Sequence, residues 1–281
     1  MTRLAGLRVA ITGGAQGIGR AIGHDLLSAG ATVALGDIQH DAVRQTAREL
    51  GDGASGHRLD VSDAASFESF LDEATAGLGG LDALVNNAGV MPIGPYLDED
   101  PDRARRTVEI NLLGTMTGIR LAGKRFAERG TGRIVNVASV MGTLASPNAA
   151  TYCATKYAVV GLGAALRQEW HGTGLQISTI CPGFVRTELI AGMSAPGLAD
   201  RFLVVDPEDV AAAVTKELAG SASRTVFVPR LAGWLSKGSA TSPTALLDTA
   251  FRVLGGTKVT TGLDQERRAA YNNRLEGHER S

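Results

Sequence analysis

The sequence predicts an α/β fold, a doubly wound parallel sheet with helices on both faces. Short apolar runs rich in β-branched residues recur along the chain, and each precedes a longer stretch compatible with a helix. The chain has 281 residues, which lies at the upper end of what one hydrophobic core organises. No linker rich in Pro, Gly or Ser divides residues 1–230. We therefore expect a single domain over residues 1–230 and a C-terminal extension over residues 231–281.

Five apolar runs are the predicted strands, at residues 7–12, 32–35, 81–86, 133–138 and 175–180. The first predicted helix opens at a glycine-rich turn and ends at Ala29-Gly30. Ser62 precedes an alanine-rich stretch that runs to Leu78, and serine is favoured at a helix N-cap. Asp100 before Pro101 predicts another helix start, because proline suits the first helical turn.

The composition excludes several classes of protein. Lys and Arg total 28 against 29 Asp and Glu, so the chain lacks the basic field of a general nucleic-acid binder. The two cysteines, Cys153 and Cys181, cannot form a disulfide framework or a four-ligand zinc site. No run approaches the ~20 apolar residues of a membrane span. We expect a cytoplasmic protein with no metal, no nucleic-acid partner and no transmembrane segment.

A glycine-rich turn, TGGAQGIG at residues 12–19, follows the first predicted strand and opens a helix. Gly13, Gly17 and Gly19 allow a tight turn in which pyrophosphate approaches backbone N–H groups at a helix N-terminus. The alternative is a simple β-to-α connection. The order of strand, turn and helix favours a dinucleotide site over that alternative.

Asp37 ends the second predicted strand, 18 residues after Gly19. A carboxylate at this place accepts hydrogen bonds from ribose hydroxyls and repels a 2′-phosphate. Neither Gln16 nor Ile38 supplies a cation beside it, so the sequence favours NAD over NADP. The alternative is an aspartate that caps the next turn.

Tyr152 and Lys156 are four residues apart, which on a helix is one turn and about 6 Å along the axis. A free phenol has a pKa near 10, and acid/base service at neutral pH requires a lower value. The Lys156 ammonium and a positively charged nicotinamide would both favour the phenolate. Taken alone, the spacing also fits an exposed helix with an unrelated tyrosine and lysine.

Together these features resemble the short-chain dehydrogenase/reductase family, in the subgroup with a Gly-x-x-x-Gly-x-Gly turn. The resemblance covers residues 4 to about 230 and implies a Rossmann-type domain. Six elements carry it in order: the turn at residues 12–19, Asn86-Asn87-Ala88-Gly89, Asn111, Ser139, the pair Tyr152 and Lys156, and the segment Pro182-Gly183-Phe184-Val185-Arg186-Thr187.

The resemblance implies a role for each catalytic candidate. Tyr152 is the general acid/base, and Ser139 hydrogen-bonds the substrate oxygen where negative charge develops. Lys156 binds the nicotinamide ribose and tunes Tyr152. Asn111 holds the water that links Lys156 to solvent. Taken singly, Ser139 also fits an ordinary turn residue and Asn111 a helix polar group.

The resemblance also implies a set of cofactor contacts. The Asp60 carboxylate accepts from the adenine amine and Val61 contributes its backbone, although Asp60 also fits a cap for the helix after Ser62. The full predicted set is Gly13, Gln16, Gly17, Ile18, Gly19, Asp37, Asp60, Val61, Asn87, Ala88, Gly89, Tyr152, Lys156, Pro182, Gly183, Val185 and Thr187.

The predicted function is an NAD-dependent oxidoreductase that interconverts a secondary alcohol and its ketone by hydride transfer. Two alternatives remain: a dinucleotide sensor without catalysis, which the Tyr152–Lys156 pair disfavours, and a sugar-nucleotide-modifying enzyme of related fold, which the glycine spacing disfavours. Apolar residues predict a hydrophobic, steroid-like or lipid-like substrate, unless half of them pack under a lid or against another subunit. They are Val140, Met141, Leu144, Phe184, Val185, Leu189, Ile190, Met193, Leu198, Phe202 and Leu203.

The extension departs from the family pattern, in which members often end shortly after a strand that here corresponds to residues 225–229. Its apolar stripe from Leu246 to Leu254 lies between Ser242-Pro243 and Gly255-Gly256 and predicts a capped amphipathic helix. Residues 264–281 are highly charged and predict a solvated helix or a frayed tail. Four roles stay open for the extension: docking on its own domain, covering the active-site mouth, mediating dimerisation, or contact with a lipid surface. We expect a homo-oligomer, either a dimer or a tetramer.

Overall fold

A computed structural model describes residues 4–190, 192, 204–233 and 258–261. Its nine strands, all within these ranges, are β1 Arg8–Thr12, β2 Thr32–Asp37, β3 Ala54–Arg58, β4 Ala83–Asn86, β5 Gly132–Val137, β6 Leu175–Pro182, β7 Phe184–Val185, β8 Val204–Val205 and β9 Thr225–Val228. Seven strands form one parallel sheet in the order β3-β2-β1-β4-β5-β6-β9. The short strands β7 and β8 pair with each other.

The helices described are α1 Gly17–Ser28, α2 His40–Leu50, α3 Ala64–Leu78, α4 Pro101–Val108, α5 Thr115–Arg129, α6 Ala150–Glu169, α7 Pro207–Ala219 and the single turn α8 Lys258–Thr261. A π-helical segment, Glu109–Gly114, joins α4 to α5. Strands and helices therefore alternate along the chain as predicted, and the helices form the crossover connections that parallel strands require.

The hydrophobic core has one layer on each face of the sheet. On one face, α1, α2 and α7 cover the sheet, with Ile22, Leu26 and Val214 fully buried against β1 and its neighbours. On the other face, α3, α5 and α6 cover it, and Phe67 and Phe126 are fully buried there. The predicted doubly wound architecture is confirmed.

All five predicted strands are present, but β3 was not predicted. Its sequence, ASGHR, contains no β-branched or aromatic residue other than the histidine ring, so local propensity gives no strand signal. It forms because it pairs along its length with β2, from Val33–Ala54 to Asp37–Arg58. Tertiary pairing decides this edge strand.

One predicted helix start is confirmed and one is corrected. Asp100 caps α4 by accepting a hydrogen bond from the N–H of Asp102 at 3.1 Å, with Pro101 in the first turn. The N-cap of α3 is Asp63, whose carboxylate accepts from the N–H of Ala65 at 3.0 Å, and not Ser62. The Ser62 hydroxyl instead donates to Asp60 at 2.6 Å.

Strand order reverses direction between β1 and β4, which are adjacent in the sheet but far apart in sequence. Connections leave such a point toward opposite faces, so a crevice opens beyond the carboxyl ends of the strands. The loops after β1, β2, β4 and β5 all begin at this edge. The sequence-predicted site residues are therefore brought together there.

Part of the predicted extension lies outside the described residues. This applies to the amphipathic helix of residues 242–256, the charged tail of residues 264–281, and four of the predicted substrate residues: Met193, Leu198, Phe202 and Leu203. Within the described ranges, no helix is long and apolar enough to cross a lipid bilayer.

Candidate active site

The glycine turn between β1 and α1 is shaped by contacts that only glycine permits. Gly13 and Gly17 have φ of +67° and +53°, in the left-handed region that side chains disfavour. A Cβ on Gly13 would lie 2.9 Å from the Ala88 Cα, and a Cβ on Gly19 would collide with the carbonyl oxygen of Gly13. The turn therefore packs backbone against backbone, and the N–H of Gly14 donates to the carbonyl oxygen of Gly36 at 3.1 Å.

Thr12 and Asn87 hold this turn against the segment after β4. The Thr12 hydroxyl accepts hydrogen bonds from the N–H groups of Asn87 and Ala88, each at 3.0 Å. The Asn87 amide donates back to the carbonyl oxygens of Thr12 at 2.9 Å and Gly13 at 3.1 Å. Two sequence motifs that are more than seventy residues apart thus form one rigid unit.

Asp37 lies at the end of β2 and faces the same turn. One carboxylate oxygen accepts from the N–H of Ala15 at 3.1 Å, and the other accepts from the N–H of Gln39 at 3.1 Å. These bonds fix the carboxylate at the rim of the crevice. The bond to Gln39 also shows that Asp37 caps the turn after β2, which the sequence analysis gave as the alternative to cofactor binding.

Two adjoining clefts cross the carboxyl edge of the sheet. The first, of about 160 Å³, lies over β2 and β3, and the second, of about 210 Å³, lies over the glycine turn. Both are lined by Gly13, Asp37, Ala88, Gly89 and Val90, so they form one continuous groove. The first also contains Ile38, Leu59, Asp60, Val61, Arg106 and Ile110, and the second Gln16, Gly17, Ile18, Asn87, Thr187, Glu188 and Leu189.

Arg106 is a groove residue that the sequence did not reveal. Its guanidinium donates to the Asp60 carboxylate at 3.2 Å and to the Ser62 hydroxyl, and it pairs with Glu109 at 3.5 Å. Burial opposes ionisation of Asp60, but hydrogen bonds from Ser62 and the Arg106 charge outweigh it and lower the pKa of this carboxyl. Asp60 is thus a fixed, charged acceptor. No local motif marks Arg106, because it reaches Asp60 from α4, 46 residues away.

Tyr152 and Lys156 lie on one face of α6, as the spacing predicts, and both are buried. The Lys156 Nζ is 5.7 Å from the centre of the Tyr152 ring and donates to the carbonyl oxygen of Val137 at 3.1 Å. A Cβ on Gly89 would lie 3.5 Å from that Nζ, at ordinary contact distance, so the ammonium lies next to a residue that lines both clefts. Burial lowers the pKa of Lys156 to about 8.

Ser139 follows β5, and Asn111 lies in the π-helical segment. The Ser139 hydroxyl accepts from the N–H of Met141 at 3.1 Å, so its own proton is available to another acceptor. The Asn111 amide exchanges two hydrogen bonds of 2.8 Å with the backbone of Val90 and donates to Thr155 at 3.3 Å. Asn111 therefore ties the loop after β4 to α6, beside Lys156. The π-helical turn itself was not predicted.

The segment after β6 reaches over the glycine turn. The Thr187 methyl group lies 3.2 Å from where a Cβ on Gly17 would stand, and its hydroxyl donates to the Val185 carbonyl oxygen at 3.3 Å. Thr187 lines the second cleft, whereas Pro182, Gly183 and Val185 line neither cleft. Of the segment Pro182 to Thr187, the structure therefore brings only Thr187 to the surface of the two clefts.

The two cysteines have the surroundings of packing residues. Both are buried and unpaired as disulfides. Burial raises the pKa of Cys153 and takes the pKa of Cys181 to about 12, which disfavours the nucleophilic thiolate. The part of the chain that the structure describes also contains no group of three or more His, Cys, Asp or Glu side chains that could hold a metal ion.

Known proteins are similar to this chain in sequence and in fold. A family profile described as short chain dehydrogenase matches residues 8–196. D-threitol dehydrogenase of Mycolicibacterium smegmatis is 40% identical over 190 residues, 66% of this chain and 73% of that protein. 3beta-hydroxysteroid dehydrogenase 2 of Eggerthella lenta is 38% identical over 198 residues, 69% of this chain and 76% of that protein.

Among solved structures, 3-ketoacyl-(acyl-carrier-protein) reductase from Brucella melitensis, complexed with NADH, superposes with a TM-score of 0.72 at 26% identity. The superposition covers 80% of this chain and 97% of the reductase. The profile match of residues 8–196 contains every residue that lines the two clefts, together with Asn111, Ser139, Tyr152 and Lys156.

Proposed function

The chain belongs to the short-chain dehydrogenase family, and from this membership we propose that it is an NAD-dependent oxidoreductase. The proposed reaction interconverts a hydrophobic secondary alcohol and its ketone by hydride transfer, with Tyr152 as the general acid/base. One observation carries the proposal: Tyr152 and Lys156 are buried one helical turn apart on α6, and the Lys156 Nζ lies next to Gly89, which lines both clefts of the groove.

The residues of the groove fit a nicotinamide dinucleotide. The first cleft combines the carboxylates of Asp37 and Asp60 with apolar walls from Leu59 and Ile110, which suits an adenosine. The glycine turn at the N-terminus of α1 suits the pyrophosphate, because its N–H groups and the helix dipole favour negative charge. When bound, the dinucleotide supplies the acceptor for the hydride that leaves the alcohol carbon.

Charges in the first cleft support NAD over NADP. The Asp37 carboxylate is held at the rim and would repel a 2′-phosphate. Arg106 lines the same cleft, but its guanidinium is engaged by Asp60, Ser62 and Glu109. The cation that a 2′-phosphate requires is therefore already neutralised by acidic partners.

In the proposed oxidation, the Tyr152 phenolic oxygen accepts the proton of the substrate hydroxyl. Lys156 supplies a positive charge beside the ring, which stabilises the phenolate. The Ser139 hydroxyl donates to the substrate oxygen and holds it in place. Asn111 fixes the loop that carries Gly89 and Val90, and it holds the water that returns protons between Lys156 and solvent.

The surroundings of Tyr152 support a hydrophobic substrate. Its side chain belongs to a buried cluster that also contains Met91, Val140, Met141 and Phe184, with Leu144, Leu189 and Ile190 packed against it. Of the two relatives described, one is named for a hydroxysteroid and the other for D-threitol. The apolar cluster favours the first of these classes.

The proposal includes a cytoplasmic homo-oligomer, supported by the small net charge of −1, which permits self-association.

A kinetic panel tests the proposal. The protein is given hydroxysteroids, simple cyclic alcohols, linear polyols and nucleotide sugars, each with NAD and with NADP, and reduced dinucleotide is followed by absorbance. We expect the highest kcat/KM for a hydroxysteroid with NAD. NADH binding without turnover of any alcohol would indicate a sensor, and turnover confined to nucleotide sugars would indicate the other class of enzyme; either result contradicts the proposal.

A further inference from the structure

Within the C-terminal extension, the helical turn α8 docks on the loop that precedes α6. Thr260, in α8, is fully buried, and its hydroxyl lies 3.0 Å from the hydroxyl of Ser146. The Asn148 side-chain amide donates to the carbonyl oxygen of Thr260 at 3.0 Å. Ser146 and Thr260 are separated by 114 positions, so this contact joins the extension to the catalytic domain. Thr260 makes this contact through its hydroxyl and its carbonyl oxygen, and hydrogen bonds of such buried polar groups give the contact a defined geometry.

Asn148 is the point where α8 meets two loops of the site. Among residues 4–190, 192, 204–233 and 258–261, it is the one non-glycine residue with positive φ, at 60°. Its carbonyl oxygen accepts from the N–H of Gly94 at 2.9 Å, and Gly94 follows Met91 and Ile93 on the loop after β4. Asparagine tolerates this backbone conformation better than most residues. One residue thus links the loop after β4, the loop before α6 and the extension.

From this joint, contacts continue to the catalytic tyrosine. The backbone of Ser146 lies next to the thiol of Cys153, which directly follows Tyr152. A second residue of the extension, Ala232, is fully buried in the apolar cluster that contains Tyr152 and Phe184. The extension therefore reaches the substrate side of the site at two places.

We propose that Ala232 and α8 form part of the substrate-site wall in their own chain, with Thr260 as the positioning residue that fixes α8. The inference rests on the proposed function. Thr260 acts through Ser146 and Asn148, which set the relative position of the two loops flanking Tyr152. A bulky alcohol touches both loops and requires them to be held, whereas a small alcohol contacts little beyond Tyr152 and Ser139. The extension is then a determinant of substrate size.

Point variants of the full chain test this role by substrate discrimination. Thr260→Val removes the buried hydroxyl, and Asn148→Asp keeps the size and backbone tolerance but replaces the donor with an acceptor facing the Thr260 carbonyl. The matched control is Thr261→Val, at the exposed neighbour. For each variant we expect kcat/KM for a bulky hydroxysteroid to fall by about tenfold, as for one lost buried hydrogen bond. For cyclohexanol we expect less than a twofold change, and for the control no change with either alcohol.

Equal losses for both alcohols would overturn the inference, since they would indicate general destabilisation. Combining Ser146→Ala with Thr260→Val sharpens the test, because the double variant should lose less than the sum of the two single variants if the two hydroxyls bond each other. Additive losses would contradict the direct contact. A change in sedimentation of Thr260→Val would also contradict it, because the extension would then be an oligomer arm.

A measurement without turnover separates this inference from the proposed function. Amide hydrogen exchange of the protein alone reports whether α8 holds residues 146–153. We expect faster exchange there in Thr260→Val and unchanged exchange in Thr261→Val. Unchanged exchange in both variants would overturn the inference even if the enzyme oxidises alcohols. Faster exchange with no turnover of any alcohol would support the docking while refuting the activity.

Discussion

The cofactor side and the substrate side of the groove are built by different physical means. On the cofactor side, glycine backbone contacts and short polar bonds such as Thr12–Asn87 and Asp37–Ala15 set the shape. On the substrate side, Tyr152 and Ser139 sit among apolar side chains contributed by distant parts of the chain, including Ala232. The first kind of structure depends on residue type at fixed spacing, and the second on volume and packing. Substitutions on the two sides should therefore fail in different ways.

The largest expected effect falls on the substrate side. Tyr152→Phe removes the proton acceptor, so kcat should fall about a thousandfold while NADH affinity is kept. The control is Tyr157→Phe on the same helix, because Tyr157 is 43% exposed and lines neither cleft. Steady-state kinetics and NADH fluorescence titration measure the two quantities. Loss of NADH affinity in Tyr152→Phe would show that the two sides are not separable.

The next largest effect concerns Lys156, which lies between the two sides. Its pKa in the folded protein is about 8, below the ordinary 10.5, so from pH 8 to 10.5 the unfolded chain binds the extra proton. The free energy of unfolding of the wild type should therefore rise with pH through this window by about 3 kcal/mol relative to Lys156→Met.

Urea unfolding at several pH values measures this difference. Lys124→Met, at an exposed lysine of α5, is the control for the loss of a lysine from the surface. A Lys156→Met curve parallel to that of the wild type from pH 8 to 10.5 would contradict the burial of a charged Lys156.

On the cofactor side, Asp37→Ala combined with Ile38→Arg should change the ratio of kcat/KM for NAD and NADP by about a hundredfold in favour of NADP. The double substitution removes the carboxylate that we propose accepts from ribose, and it adds a cation for a 2′-phosphate. Steady-state kinetics with both cofactors measures the ratio, and Asp41→Ala, exposed on α2, is the control. An unchanged ratio would refute the role of Asp37.

The smallest expected effect tests the glycine turn. Gly17→Ala should lower the free energy of unfolding by about 1 kcal/mol, because φ is +53° there and the new methyl would lie 3.2 Å from the Thr187 methyl. Gly77→Ala on α3, where an added Cβ meets nothing within 4 Å, should instead raise it by roughly 0.5–1 kcal/mol. Urea unfolding measures both. The same sign for both variants would contradict a turn that requires glycine at residue 17.

The contrast between the two sides also explains what the sequence predicts. Gly13, Gly17, Asp37 and the Tyr152–Lys156 pair are local patterns whose geometry follows from spacing, and the structure places them at one edge of the sheet. The unpredicted features depend on pairing or distant contacts. Strand β3 forms because it pairs with β2, and Arg106 contributes to the groove because α4 places it within hydrogen-bond distance of Asp60.

The same reasoning applies to helix ends and to the extension. Ser62 and Asp63 are both good N-caps, and the choice of Asp63 depends on the Ser62 hydroxyl being used by Asp60. The docking of Thr260 on Ser146 and Asn148 has no local sequence signal, because none of the three residues belongs to a motif. The catalytic roles, all of the cofactor contacts and the order of the oligomer stay predictions.

The most direct test of the account is the fate of the hydride. A hydroxysteroid carrying deuterium on its carbinol carbon is incubated with the protein and NAD, and the reduced dinucleotide and ketone are analysed by mass spectrometry. We predict one deuterium in the reduced dinucleotide for every ketone formed. Ketone without reduced dinucleotide, or reduced dinucleotide without deuterium, would contradict direct transfer between an alcohol at Tyr152 and a cofactor in the adjoining groove.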